Sequence, residues 1–349
     1  MSVTIKDIAR VLGISHSTVS RGLNDSPLVA KDTKDKIKKV AEELGFHFNA
    51  NARSLSTKVI GTIGIICPEN YGEFGPGLFY GSLLNELRHT LEKAKLDIIV
   101  SFIYNQYTNE NNIERLVVTK KIDGLIIVAP DINYIGKDVL DYMEASEVPY
   151  VFLHHNHSLP KSNNDDVFYT DNFMGGYWAA KHLIEIGHKN IMTISSYANS
   201  KEFNERTRGY LEALNKYGLK KNEEYIFYGQ SDINSGYNII NENLKFIKDN
   251  NITAIFAQSD LMAIGCMEAF KEHGILVPND ISMVGFDDLD LIMSFKPHLT
   301  TIHQPREELA ILSCERLIQL INSKEEKKKI NIMLKPKLIV RDSTKPLLK

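Results

Sequence analysis

Between Ser15 and Asn24 the chain reads Ser-His-Ser-Thr-Val-Ser-Arg-Gly-Leu-Asn, a run of short hydrogen-bonding side chains around one arginine. Arg21 could hold a guanine edge through two parallel bonds, and His16 and Ser17 could reach neighbouring bases. Thr4, Ser15, Thr18, Ser20 and Asn24 are short donors suited to phosphate oxygens, which fix position without reading sequence. A second group is scattered through the rest of the chain: His154, Asp171, Arg206, Ser259, Asp260 and Asp287, with Phe79 and Tyr80 as aromatic company. Carboxylates accept hydrogen bonds from ligand hydroxyls, an arginine donates to them, and flat rings cover the face of a sugar. Neither group is a catalytic set, and the chain contains no G-x-G-x-x-G, no P-loop and no G-x-S-x-G. No enzymatic activity and no cofactor are expected.

The first group needs a small helical scaffold. Thr4 and Asp7 read as a helix N-cap with an acidic first turn; Ile5, Ile8, Ala9 and Leu12 follow at helical spacing, and Gly13 stops the helix. Ser15 caps a second helix that turns Val19 and Leu23 inward and leaves His16, Ser17, Ser20 and Arg21 outward. A third helix is predicted from Asp32 to Leu44, with Ile37, Val40, Ala41 and Leu44 on one face and Gly45 at its end. Three short helices with a polar second one make a helix-turn-helix domain, whose second helix fits the major groove of DNA.

The second group needs a larger frame. From Val59 onward the β-branched runs VIGTIGIIC, LDIIVSF, GLIIVA and PYVFL alternate with segments of helical length. After SLPKSNNDD come NIMTIS, EYIFY, ITAIFA and ISMVGF. Two such blocks predict two doubly wound parallel sheets, hence two lobes, with ligands beyond the carboxyl ends of the strands. His154, Asp171, Ser259, Asp260 and Asp287 all follow such runs. Asp171 fits a helix cap as well as a ligand contact. His154, His155 and His157 lack the companions of a structural metal site, and the acidic run Asp287–Asp290 reads as solvated or ligand-facing, so no metal is expected. Cys67, Cys266 and Cys314 show no paired spacing and read as packed, reduced thiols; Trp178 reads as packed.

The net charge of −3 is unevenly divided: residues 1–58 hold 10 Lys/Arg against 6 Asp/Glu, and the remainder 31 against 38. A basic head on an acidic body points to the head as the polyanion-binding part. No apolar run approaches the roughly 18 residues of a membrane span, and MSVTIKDIAR is not a secretory leader, so a cytoplasmic protein away from the membrane is expected.

The stretch TIKDIARVLGISHSTVSRGLN, Thr4 to Asn24, resembles the head of the LacI/GalR family of bacterial repressors. The likeness continues through DNFMGGYWAAKHLIEIGHKNI from Asp171, RTRGY from Arg206, SDLMAIG from Ser259, and VGFDD with LTTIHQP between Val284 and Pro305. It implies an α/β protein with an N-terminal helix-turn-helix three-helix head over 1–48, a hinge helix and linker over 49–58, and a two-lobed periplasmic-binding-protein-like body. The first lobe would take 59–164 plus about 291–323, and the second 165–290 plus about 324–343. In the family the hinge helix folds on the operator and drives a leucine into the minor groove. The matching segment NANARSL makes Leu55 the wedge with Asn49, Ala52 and Arg53 beside it, while Phe48 stands where members often carry proline.

The resemblance implies a repressor that binds palindromic double-stranded DNA, with a central CG step, as a homodimer. It further implies control by a sugar-like effector held by Arg206 and Asp287 with Asp171 nearby. After LIVRDST no heptad-bearing segment follows, so a homodimer is expected in place of a tetramer. Two alternatives stay open: a global carbon-control regulator assisted by a protein partner, and a purine- or nucleoside-responsive corepressor type. Replacing Leu55 with alanine is expected to weaken binding to a palindromic operator by on the order of tenfold or more, because the kink at the unstacked step is lost. Binding to unrelated duplex should change little; a gel shift showing equal loss on both would refute the wedge.

Overall fold

The computed structural model describes residues 3–23, 26–46, 60–68, 74–128, 135, 137–154, 165–196, 200–323 and 328–347. The chain divides into a head, Met1–Gly61, and a body, Thr62–Lys349.

In the head, α1 (Ile5–Leu12), α2 (His16–Leu23) and α3 (Lys31–Glu43) enclose Ile8, Ala9, Val19, Ile37 and Ala41. The start of α1 is fixed as its composition predicts: Asp7 Oδ2 accepts from the Thr4 N–H at 3.0 Å and from its hydroxyl at 2.7 Å. Those two bonds hold the Asp7 carboxyl below its ordinary range. Gly13 closes α1 at φ 64°, a conformation that L side chains rarely adopt. Ser15 then starts α2 by accepting from the Thr18 N–H at 3.1 Å. The cap chemistry thus dictates the tight turn between α1 and α2.

Among the described residues the body contains two six-stranded sheets. In the first, β1 (Thr62–Cys67), β2 (Asp97–Phe102), β3 (Gly124–Val128), β4 (Tyr150–Leu153), β5 (Val167–Thr170) and β11 (Asn331–Leu334) run parallel in the order β11-β5-β4-β3-β1-β2. In the second, β6 (Ile191–Ser196), β7 (Ile226–Gly229), β8 (Ala254–Ala257), β9 (Ser282–Asp287), β10 (Thr300–His303) and β12 (Lys337–Ile339) lie in the order β12-β10-β9-β8-β6-β7. Among the described residues of that sheet the β10–β12 pair is antiparallel and the others are parallel.

Helices cover both faces of each sheet, which is why the strands read as near-continuous apolar runs. On the first sheet these are α4 (Phe74–Lys93) and α11 (Arg306–Asn322) over one face, and α5 (Asn112–Val118) and α6 (Lys137–Ala145) over the other. On the second they are α7 (Asn172–Glu185) and α8 (Lys201–Lys216), then α9 (Ile233–Asp249) and α10 (Asp260–Glu272). Cys67, Cys266 and Cys314 are free and buried, and Trp178 packs against the α7–α8 core.

The chain changes lobe after Thr170, between His303 and Arg306, and between Leu334 and Lys337. These crossings correct the expected lobe boundaries. β5 pairs with β4 and β11 in the first sheet although the boundary was expected at 165; β10 joins the second sheet and β11 the first, opposite to their expected lobes. A strand of four residues carries no signal of which sheet it joins; only the ladder partner decides.

α7 and α8 cross closely because each carries a glycine that faces the other helix's backbone. A Cβ on Gly176 would strike the Arg206 carbonyl, and one on Gly209 the Phe173 carbonyl. This explains the R-x-x-G spacing: Gly209 brings α8 down onto α7 so that Arg206, one turn earlier, lies beneath the lobe's surface. Gly176→Ala is expected to destabilise the body by about 1–3 kcal/mol or more, because the obstructing atoms are backbone. Thermal unfolding would register a Tm lower by several degrees; an unchanged Tm would show that the helices can separate freely.

Candidate functional site

On the head, α2 presents His16, Ser17 and Arg21 to solvent while Val19 and Gly22 are buried. Ser15 Oγ lies 2.7 Å from Ser17 Oγ and 2.8 Å from Thr18 Oγ1, a hydroxyl cluster at the N-terminus of the helix where partial positive charge favours phosphate. Thr4, expected as a phosphate donor, has its hydroxyl engaged by Asp7. Asn24, Asn49, Ala52, Arg53 and Leu55 lie outside the described residues.

In the body, Arg206 of α8 is 5 % exposed and held on several sides. Its Nε donates to Asn172 Oδ1 at 2.8 Å and its Nη1 to the Gln258 carbonyl at 2.6 Å. Its guanidinium lies 3.7 Å from the Phe286 ring centroid and 4.6 Å from that of Phe203. Its Nη2 stands 3.9 Å from Asp287 Oδ1, close enough to attract and too far to hydrogen-bond. Burial lowers the arginine's pKa and raises that of Asp287, and each charge partly offsets the other's shift. The carboxylate is also steadied by Gln304 Nε2 at 2.7 Å.

Facing this pair from the first lobe are Tyr80 and His154, both sensing the Arg206 charge. His154 ends β4 in the left-handed region at φ 52°. Its N–H donates to the Phe168 carbonyl at 2.9 Å, and its ring meets Phe79 edge-on at 5.5 Å. Desolvation first, and Arg206 second, push its pKa down to about 4, so the imidazole is neutral at physiological pH. Its Nε2 and the Thr170 hydroxyl are buried with no hydrogen-bond partner among the described residues. Leu78 and Phe79 reach across to pack on the core of the second lobe. The arrangement offers a donor edge, an acceptor edge and aromatic walls to a small polar molecule, and among the described residues no nucleophile is paired to a base there.

The structure gathers Phe79, Tyr80, His154, Arg206 and Asp287 as one group and gives other work to three expected companions. Asp171 caps α7, its Oδ1 accepting from the Met174 N–H at 2.9 Å, the plainer of its two uses. Ser259 caps α10 by accepting from Met262 N–H at 3.3 Å. Asp260 is fully buried, with Oδ1 taken by the Thr301 hydroxyl at 2.5 Å and Oδ2 by the Leu289 N–H at 2.8 Å, so it braces the Asp287 loop. Burial keeps its pKa well above the usual carboxylate range. Asn172, Gln258, Gln304 and Arg306 escaped sequence reasoning. Gln304 lay within the LTTIHQP likeness and Asn172 within the Asp171 stretch, which was the only signal available.

Residues 4–49 match the bacterial regulatory proteins of the lacI family, and residues 180–344 match a periplasmic binding protein-like domain. The chain is 30% identical over 344 residues to the HTH-type transcriptional repressor PurR of Vibrio campbellii, covering 99% of both chains. Among solved structures it is similar to a CelR–cellobiose complex, at 26% identity and TM-score 0.69, covering 98% of this chain and 99% of that one. A LacI family regulator from Enterococcus faecium with bound ribose shares 27% identity at TM-score 0.67, covering 82% of this chain and 100% of that one. The chain belongs to the lacI family of bacterial regulatory proteins: it is a DNA-binding transcriptional regulator and not an enzyme. No helix among the described residues is long and apolar enough to cross a membrane.

The neutral His154 makes stability depend on pH. Its folded pKa of about 4 lies below the ordinary 6.5, so between those values the unfolded chain binds a proton that the folded chain does not. Stability therefore falls as pH drops through that window, with a slope of at most ~1.4 kcal/mol per pH unit from this group. His154→Asn should flatten the slope in urea titrations between pH 7 and pH 5, although His182 and His188, also lowered by burial, keep theirs. An unchanged slope would mean that His154 is solvated.

Proposed function

We propose that this regulator is a cytoplasmic homodimeric repressor that reads a palindromic operator with a central CG step and is controlled by a sugar held between its lobes. The observation that carries the effector class is the buried Arg206–Asp287 pair, side by side at 3.9 Å without a hydrogen bond to each other. Adjacent hydroxyls of a sugar match such a pair, one accepting from the guanidinium and the next donating to the carboxylate. Tyr80, Phe79 and the neutral His154 supply ring faces and one more polar atom. The bound ribose and cellobiose of the similar solved structures support the same class. Effector binding would set the closure of the lobes, the dimer contacts of the body and, through them, the hinge around Leu55.

A purine effector is the second reading, favoured by the 30% identity to PurR repressors over the whole chain. A thermal-shift screen of the purified protein against sugars, sugar phosphates and purines separates the two. A ligand at about a hundred times its Kd adds ~2.7 kcal/mol of stability. The expected result is a clear shift with a sugar and its loss in Arg206→Ala. A shift with purines alone would overturn the sugar reading in favour of the second, and a silent panel with intact operator binding would overturn it in favour of a protein partner.

A further inference from the structure

We infer that Arg306 is a positioning residue of the effector cleft: it clamps two consecutive left-handed residues and thereby aims the Asp287 carboxylate at Arg206. The inference rests on the cleft being the effector site and adds a residue that neither the strand-end pattern nor the effector pair itself identifies.

Asp287 and Asp288 end β9 at φ 117° and φ 56°. Successive side-chain-bearing residues in that region persist only where their surroundings over-determine them. The surroundings here centre on one guanidinium. Arg306 Nη1 donates to the Asp287 carbonyl at 2.5 Å and Nη2 to the Asp288 carbonyl at 3.0 Å, so a rigid planar fork spans both peptide units. The side chains of the same two residues are held separately: Asp287 by Gln304, and Asp288 by His303 Nδ1 at 3.0 Å and Arg341 Nη2 at 2.7 Å. The clamp is therefore on the backbone, which sets where the Asp287 carboxylate starts.

Arg306 is also placed to sense the first lobe. It opens α11, whose Leu309, Ala310, Cys314 and Leu317 are buried against the first sheet. Its Cζ lies 6.0 Å from the ring of Phe79 on α4. One buried side chain thus joins a second-lobe loop to two first-lobe helices. Movement of those helices relative to the second sheet would pull on the same carbonyls that orient Asp287.

The test compares the full chain with Arg306→Gln and Arg306→Lys, neither of which can bridge both carbonyls with a fixed fork. Hydrogen exchange of the Leu289 amide, which donates to Asp260 Oδ2 just beyond the clamp, needs no effector. It is expected to accelerate at least tenfold in Arg306→Gln, while amides of β6 and β8 stay as protected as in the parent. Calorimetric titration with D-ribose, cellobiose and adenine then reads positioning: the probe that binds the parent should bind Arg306→Gln at least tenfold more weakly and Arg306→Lys at an intermediate level. Unchanged exchange at Leu289 would overturn the clamp. Faster exchange with unchanged probe affinity would overturn its positioning role. If no probe binds the parent, the effector reading fails by itself and the exchange result alone decides the clamp.

Discussion

Burying the Arg206 guanidinium is the constraint around which the body is arranged. Removing a charge from water carries a penalty of several kcal/mol even after relaxation, so the site must return hydrogen bonds and an opposing charge. Asn172 comes from the first turn of α7, the Gln258 carbonyl from the end of β8, Phe286 from β9 and Asp287 from its last position. The close glycine crossing of α7 and α8 brings these elements within reach of one side chain. Every partner stands at the carboxyl end of the second sheet or at a helix start beside it, where parallel strands leave a crevice.

The polar support extends below the arginine. Gln258 accepts from Ser195 Oγ at 3.0 Å and donates to Thr193 Oγ1 and Thr207 Oγ1. The carbonyl that receives Arg206 thus belongs to a residue fixed on both of its amide atoms. Satisfied networks of this kind hold one geometry because any shift strands a buried polar group. On the opposite wall, the left-handed His154 shows the reverse condition, its Nε2 having no partner among the described residues. One wall thus holds Arg206 and Asp287 in place without joining them, and the other leaves the His154 Nε2 and the Thr170 hydroxyl without a partner among the described residues, groups that a bound ligand could complete. A ligand that touches both walls binds the closed arrangement better than the open one, and only such differential affinity can shift the lobes.

The fold was legible where pattern and punctuation agreed. Thr4, Gly13 and Ser15 marked the head's helices through their own hydrogen bonds, and the eight β-branched runs each became a strand. The lobe assignment of β5, β10 and β11 was not legible, because a strand four residues long does not name its neighbour. For the proposed effector site, motif likeness and the strand-end rule pointed to Arg206 and Asp287. That same rule also selected Asp171, Ser259 and Asp260, each of which has a local role in the structure: two cap helices and one braces a loop. A carboxylate or hydroxyl after a strand and before a helix serves either purpose, and sequence does not separate them. Arg306 was invisible because its role comes from the φ angles of residues far behind it in the chain.

The most direct test of the account is a fluorescence-anisotropy titration of a labelled palindromic duplex with the full-length protein. It would be run with and without saturating amounts of whichever compound stabilises the body. If the cleft controls the head, the operator Kd changes by on the order of 5–150-fold, in either direction, when the compound is present. An operator Kd unmoved by a compound bound at Arg206 and Asp287 would contradict the account, leaving a DNA-binding head and a ligand-binding body that do not communicate.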